Sequence, residues 1–187
     1  MKYYHCSPVC GLKVLQPGKP ANFEKPAGVY LTTLLPMALM YGIRNFEYTY
    51  GYTRDGHIYY EEYFPDALRI LYEGKRASLY ECAPQTTETT RIPNEVVSPM
   101  PVKAVREIQI PDVMQALLEQ ERLGKLDIRR YDQLSSRARE WIHRAEVEEI
   151  KKRALLHTPS PMADYIRLRY PDAWAAAILE EKQTPED

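Results

Sequence analysis

The chain has 187 residues and a mass of 21.8 kDa, enough for one domain or one domain with an appendage. Its 25 Lys and Arg against 26 Asp and Glu leave a net charge of −1, whereas an electrostatic nucleic-acid binder carries a basic excess on one element. A composition 44% hydrophobic and 27% charged is that of a globular chain rather than a disordered one, and no apolar run reaches the ~20 residues that span a bilayer. The N-terminus lacks the apolar stretch of a signal peptide, which predicts a cytoplasmic chain. Three cysteines, Cys6, Cys10 and Cys82, are then expected as free thiols. The unusual count is tyrosine: 15, against 3 Phe and 2 Trp, with twelve of them before residue 81. An aromatic body with a polar tip suits a half-wet cleft as well as the edge of a core.

Residues 3–6 read as a short strand ended by Ser7-Pro8, and Pro17-Gly18-Lys19-Pro20 as a turn. Residues 28–32 form a second strand. Residues 33–42 follow as a helix, with Thr33 as cap, Pro36 in the first turn and Gly42 at the end. From 46 to 52 the chain alternates, with Phe46, Tyr48, Tyr50 and Tyr52 on one face. Asp55-Gly56 turns that strand into residues 57–63 as a hairpin. Residues 65–73 are a helix closed by Gly74, and strands are expected at 77–83, 95–97 and 102–110.

Composition changes near residue 110. Residues 1–110 hold seven of the eight glycines, whereas 111–187 hold 13 basic and 15 acidic side chains. Helices are expected at 112–123, 133–155 and 161–182, the last interrupted at Pro171. In the middle helix, Leu134, Ala138, Trp141, Ile142, Ala145 and Ile150 share a face. The run Lys151-Lys152-Arg153 reads as a solvated face. The expected class is α+β: a domain over residues 1–110, then a helical extension over 111–187 that packs on it or mediates self-association through Trp141, Ile142 and Trp174.

Three segments place a polar residue at a strand start or end, where cleft residues are displayed: Tyr4-His5-Cys6-Ser7, Gly28-Val29-Tyr30-Leu31-Thr32 and Asn94-Glu95-Val96. In this order they resemble the His-Tyr-Glu branch of the NAD-dependent ADP-ribosyltransferases, which includes the poly-ADP-ribose polymerases and the diphtheria-type toxins. The resemblance covers residues 3–110. It implies split antiparallel β-sheets with short helices, NAD as substrate, no metal, and transfer of single ADP-ribose units to an acceptor (protein, nucleic acid or small molecule) that the motifs do not define. By the same resemblance, His5 would bond the adenosine-side ribose, with Cys6 and Ser7 beside it. Tyr30 would stack on the nicotinamide ring, with Tyr41 as a second slab, and Glu95 would be the catalytic carboxylate. Glu81 and Glu88 are rival placements for that third residue. The physics is coherent: loss of nicotinamide creates an oxocarbenium-like transition state that a carboxylate stabilises, and aromatic faces attract a charged planar ring.

A different reading is a non-catalytic module that keeps the fold and binds a nucleotide or a protein. Cys6, where the family has Gly, and Ala38, where polymerase-like members have Ser, favour it. A third reading, an RNA 2′-phosphotransferase-like activity, requires a basic cluster for the RNA phosphates. A metal site from His5, Cys6, Cys10 and Cys82 lacks a second Cys/His pair at ligand spacing. No phosphate-binding Gly-rich loop and no Gly-x-Ser-x-Gly elbow occurs.

Overall fold

A computed structural model describes residues 2–19, 26–45 and 47–183. The fold is mixed α+β with antiparallel sheets and, among the described residues, six α-helices. The chain forms two compact units, Met1–Tyr60 with Leu68–Asp127, and Glu61–Ala67 with Ile128–Asp187.

The first unit is built on one seven-stranded antiparallel sheet. Its strands are β1 (Tyr3–Ser7), β2 (Val14–Leu15), β3 (Val29–Thr32), β6 (Ala77–Ala83), β7 (Glu88–Thr89), β8 (Glu95–Ser98) and β9 (Val102–Ile110), in the order β2-β9-β6-β1-β3-β8-β7. A hairpin of β4 (Tyr50–Tyr52) and β5 (Ile58–Glu61) stands apart from it in sequence and in pairing. The expected Asp55-Gly56 turn is there: Gly56 has φ +85, and the Thr53 N–H donates to the His57 carbonyl at 2.9 Å. The short β2 and β7 escape a periodicity argument because two residues carry no period. Of the alternating run at 46–52, the strand keeps only Tyr50–Tyr52, and Phe46 lies outside the described residues.

Alternation along the strands sorts the sheet into two faces. Leu15, Val29, Leu31, Tyr80, Cys82 and Val102 pack into one apolar core, with Tyr3, Leu12, Val96 and Ala104 against it. The other face carries Cys6 and Thr32 and receives helix α1 (Leu35–Met40), whose residues 36–40 are all buried. Thr33 does not cap this helix. The cap position is Leu34, which offers no side-chain bond, and Thr32 Oγ1 instead accepts the Leu34 N–H at 3.0 Å. The β-strand thus hands its last hydroxyl to the start of the helix, which fixes the angle between them. Helix α2 (Ala67–Tyr72) is closed by Gly74 at φ +67. Helix α3 (Val113–Arg122) is capped by Asp112, which accepts the Gln115 N–H at 3.1 Å. It belongs to the first unit and packs on α1.

In the second unit, the Glu62 N–H donates to the Arg129 carbonyl at 3.0 Å, and the Glu62 carboxylate accepts the Tyr131 N–H at 3.0 Å. Strand β10 is Asp127–Arg129. Helices α4 (Ser136–Lys152), α5 (Pro161–Arg169) and α6 (Pro171–Gln183) follow, with the expected break at Pro171. Helix α4 buries Ile142 and Ile150 of the expected face together with Val147, which lies outside it, while Trp141 is 53% exposed and meets Tyr63 edge-on at 6.0 Å. The buried stripe is rotated toward Glu146 and Val147, so Trp141 flanks it rather than anchoring it. Lys151 pairs with Glu180 at 2.9 Å and Arg153 with Glu149, both at the surface. Among the described residues, no helix is long and apolar enough to cross a membrane.

Gly28 permits a close approach between β3 and β8. A Cβ there would lie 2.3 Å from Val97 Cγ2 and 3.1 Å from the Ser98 carbonyl oxygen. Replacing it forces β3 away from β8, and overpacking of this kind costs about 1–3 kcal/mol. Gly28→Ala should therefore lower the denaturation midpoint, whereas Gly18→Ala, where nothing lies within 4 Å, should leave it near the parent value. Equal midpoints for the two variants would refute this packing.

Candidate functional site

The site is assembled by register. Thr32 stands opposite Tyr4 on β1 and opposite Glu95 on β8, while Tyr30 stands opposite Val97. Paired residues of antiparallel strands point to the same face, so Tyr4, Tyr30, Thr32, Glu95 and Val97 share one side of the sheet. Asn94 takes a left-handed conformation at φ +63 immediately before Glu95. Asn tolerates this region better than most residues. Its carbonyl accepts the Thr33 N–H at 3.1 Å, tying the start of β8 to the end of β3.

Glu95 is 6% exposed. Thr90 Oγ1 lies 2.9 Å from its Oε1 and donates to it. Tyrosines gather around this carboxylate. Tyr41 and Tyr50 join hydroxyls at 3.0 Å, Tyr41 packs on Tyr48 at 4.5 Å between ring centroids, and Tyr50 meets Tyr52 edge-on at 6.4 Å. The Tyr52 hydroxyl donates to the Pro93 carbonyl at 2.8 Å, two residues before Glu95. Burial is the main cause that raises the pKa values of Tyr41, Tyr50 and Tyr52, Tyr41 to about 12, and the negative charge of Glu95 adds to it in each case. Tyr30 is raised for the same two reasons. Five phenols that stay protonated, four of them within the field of one carboxylate, make a wall that is aromatic and rich in O–H groups. The Tyr30 hydroxyl donates to the Pro26 carbonyl at 2.7 Å, which fixes the ring's direction.

His5 lies on the opposite face of the sheet and touches the site only through the Tyr30 backbone. Its register partner on β6 is Tyr80, so alternation turns it away from the Glu95 face. The registered pairing of β1 with β3 is confined to Tyr4–Thr32. In the next positions His5 Nδ1 lies 3.0 Å from the Tyr30 carbonyl oxygen. A carbonyl only accepts, so Nδ1 carries the hydrogen, and the ring takes the bond that a strand N–H would otherwise supply. Burial pushes the imidazole pKa down, against a smaller upward pull from the Tyr30 carbonyl. The neutral ring therefore leaves Nε2 as an acceptor.

Cys6 is 4% exposed and packs against Gly42, where an added Cβ would come within 2.8 Å of its Sγ. Burial raises its thiol to about 12, so it is neither a thiolate nucleophile nor a ready ligand. Ser7 Oγ accepts the Val9 N–H at 3.1 Å and shapes the turn after β1. Of the rival carboxylates, Glu81 lies on β6 in a surface pair with Lys2 at 3.3 Å, and Glu88 is an exposed residue of β7. His57 pairs with Asp127 at 3.3 Å and His157 with Glu181 at 2.7 Å. Among the described residues, no three His, Cys, Asp or Glu side chains are grouped to hold a metal ion.

Register thus brings Tyr30 and Glu95 together, Tyr41 joins them through the phenol wall, and His5 is fixed to Tyr30 through its backbone. Sequence reasoning missed Thr90, Tyr50 and Tyr52. The alternation of Tyr48, Tyr50 and Tyr52 was visible, but nothing local says that this face turns toward Glu95.

The His5 ring supplies a pH test. Its folded pKa lies below the unfolded value near 6.5, so the unfolded chain binds the extra proton first. The stabilisation from keeping this ring neutral is full above about pH 6.5 and is lost as pH falls toward the folded pKa. The fall in unfolding free energy between pH 7.5 and 5 should be steeper for the parent than for His5→Gln; parallel curves would refute the buried neutral ring.

Compared with family models, with curated proteins and with solved structures, the chain matches none.

Proposed function

We propose that the protein is an NAD-dependent mono-ADP-ribosyltransferase, with NAD as substrate and Tyr30, Glu95 and His5 as its working residues. The observation that carries this reading is the register Tyr4–Thr32–Glu95, which sets Tyr30 and a buried carboxylate on one face of neighbouring strands. Tyr30 offers its ring to the nicotinamide, and Tyr41 adds a second aromatic face. A cationic ring over aromatic faces gains about 0.5–2 kcal/mol from each. His5 Nε2 accepts a hydroxyl of the adenosine-side ribose.

As the bond between the nicotinamide nitrogen and the ribose carbon breaks, its electron pair leaves with nicotinamide, which departs neutral. Positive charge then develops on the ribose. Glu95, desolvated and oriented by the Thr90 hydroxyl, stabilises that charge more than water would, because the surrounding dielectric is low and the carboxylate is already aligned. A nucleophile of the acceptor attacks the ribose carbon and gives up its proton to water. Thr90 has no part in bond making; it positions Glu95.

The test is nicotinamide release, measured beside NAD binding by calorimetry. Glu95→Gln should reduce kcat by about 10²–10³, the scale for losing one preorganised electrostatic group, with NAD affinity changed little. Tyr30→Ala should weaken NAD binding. NAD binding by the parent chain without any nicotinamide release would instead support the non-catalytic module, which the buried, hydroxyl-free Ala38 in α1 favours.

A further inference from the structure

A concavity in the first unit involves none of His5, Tyr30, Tyr41 and Glu95. It has a volume of about 420 Å³ and lies between the turn after β1, the end of α1 and the start of β6. Its polar lining consists of Arg44, Lys75 and Arg76, and its apolar lining of Pro8, Val9, Ile43 and Leu71. The volume falls within the range of small-molecule sites and exceeds what an inorganic anion fills.

The charges here are uncompensated. Among the described residues, no ion pair engages Arg44, Lys75 or Arg76. Two carboxylates near Lys75 and Arg76 are committed elsewhere: Glu73 lies 4.0 Å from Arg69, while Asp112 caps α3 and accepts the Gly74 N–H at 3.0 Å. Three cations converging on one concavity repel one another, and a bound anion relieves that repulsion. Arginine fits phosphate because its planar fork can donate two parallel bonds, and lysine adds a point charge.

The apolar side has its own exposure to relieve. Val9 is 46% exposed at the rim. Its segment is nonetheless fixed, because the Tyr80 hydroxyl lies 2.8 Å from the Val9 carbonyl oxygen and accepts the Leu12 N–H at 3.2 Å. The Gly11 N–H donates to Glu107 at 2.9 Å. A preformed wall of this kind costs little to order on binding.

We propose that this pocket binds an organic phosphate, with the phosphate among Arg44, Lys75 and Arg76 and the carbon skeleton on Pro8, Val9, Ile43 and Leu71. Titration calorimetry with ADP, adenosine and inorganic phosphate tests it, on the full chain. ADP should bind at least tenfold tighter than either other probe. Its affinity should fall as salt rises, because the contact is ionic. The Arg44→Ser/Lys75→Ser/Arg76→Ser variant should bind ADP at least tenfold more weakly. If that variant fails to fold, Arg44→Ser and Arg76→Ser singly should each weaken ADP severalfold. Equal affinity for ADP and adenosine would overturn the phosphate contact, and equal affinity for ADP and inorganic phosphate the apolar one. Undiminished ADP binding in the variants would overturn the site itself. No NAD is consumed in this experiment, so the outcome is independent of nicotinamide release.

Discussion

The structure of the site depends on where Thr32 is held. It pairs with Tyr4 on one side and Glu95 on the other, and its hydroxyl also receives the first N–H of the turn into α1. Because side chains alternate with a period of two, a slip of one residue between β3 and β8 would turn Glu95 away from Tyr30. That register is enforced from both ends. Gly28 lets the strands touch at Val97 and Ser98, and the Asn94 carbonyl bonds Thr33 at the other end. The apolar alternation of Val29 and Leu31 into the core sets the same parity.

Opening the sheet between β1 and β3 has a structural consequence of its own. A strand carbonyl that loses its ladder partner must find another donor, and the His5 imidazole serves Tyr30 in that way. The same bond fixes the tautomer of the half-buried ring. A net hydrogen bond contributes about 0.5–1.5 kcal/mol, yet leaving a buried acceptor empty costs about 1–3 kcal/mol. The His5 contact therefore matters more for what it prevents than for what it adds. Around Glu95 the logic is similar. A carboxylate at 6% exposure needs donors, and Thr90 supplies one directly, while protonated phenols surround it without adding charge.

Much of the scaffold is legible locally, for identifiable reasons. Strands β6 and β9 have strong β-formers bounded by turn residues and emerge with the expected limits. Asp55-Gly56 specifies its hairpin, Asp112 its cap, and Pro171 its break, because each acts within four residues of itself. Local rules mislead at Thr33: the cap position is Leu34, which has no side-chain cap, and Thr32 Oγ1 accepts the Leu34 N–H. The same holds at Trp141, where the buried stripe of α4 is set by what packs on it. Position 110 marks a change in charge density, but α3 beyond it packs on α1 within the first unit.

The sequence by itself determined the longer strands, the helices and the turns, because those follow from local propensity, while His5, Tyr30, Tyr41 and Glu95 entered as candidates through a family resemblance. Only the tertiary structure decided which of them meet. The pairing of β8 with β3 spans more than sixty residues of chain, and no local signal encodes a contact across that separation. Tertiary packing also decided that Tyr50 and Tyr52 lie within the field of the Glu95 carboxylate, that Thr90 bonds it, and that Arg44, Lys75 and Arg76 line one concavity. Charge balance over the chain conceals such a cluster, because a net charge counts ions without saying where the fold puts them.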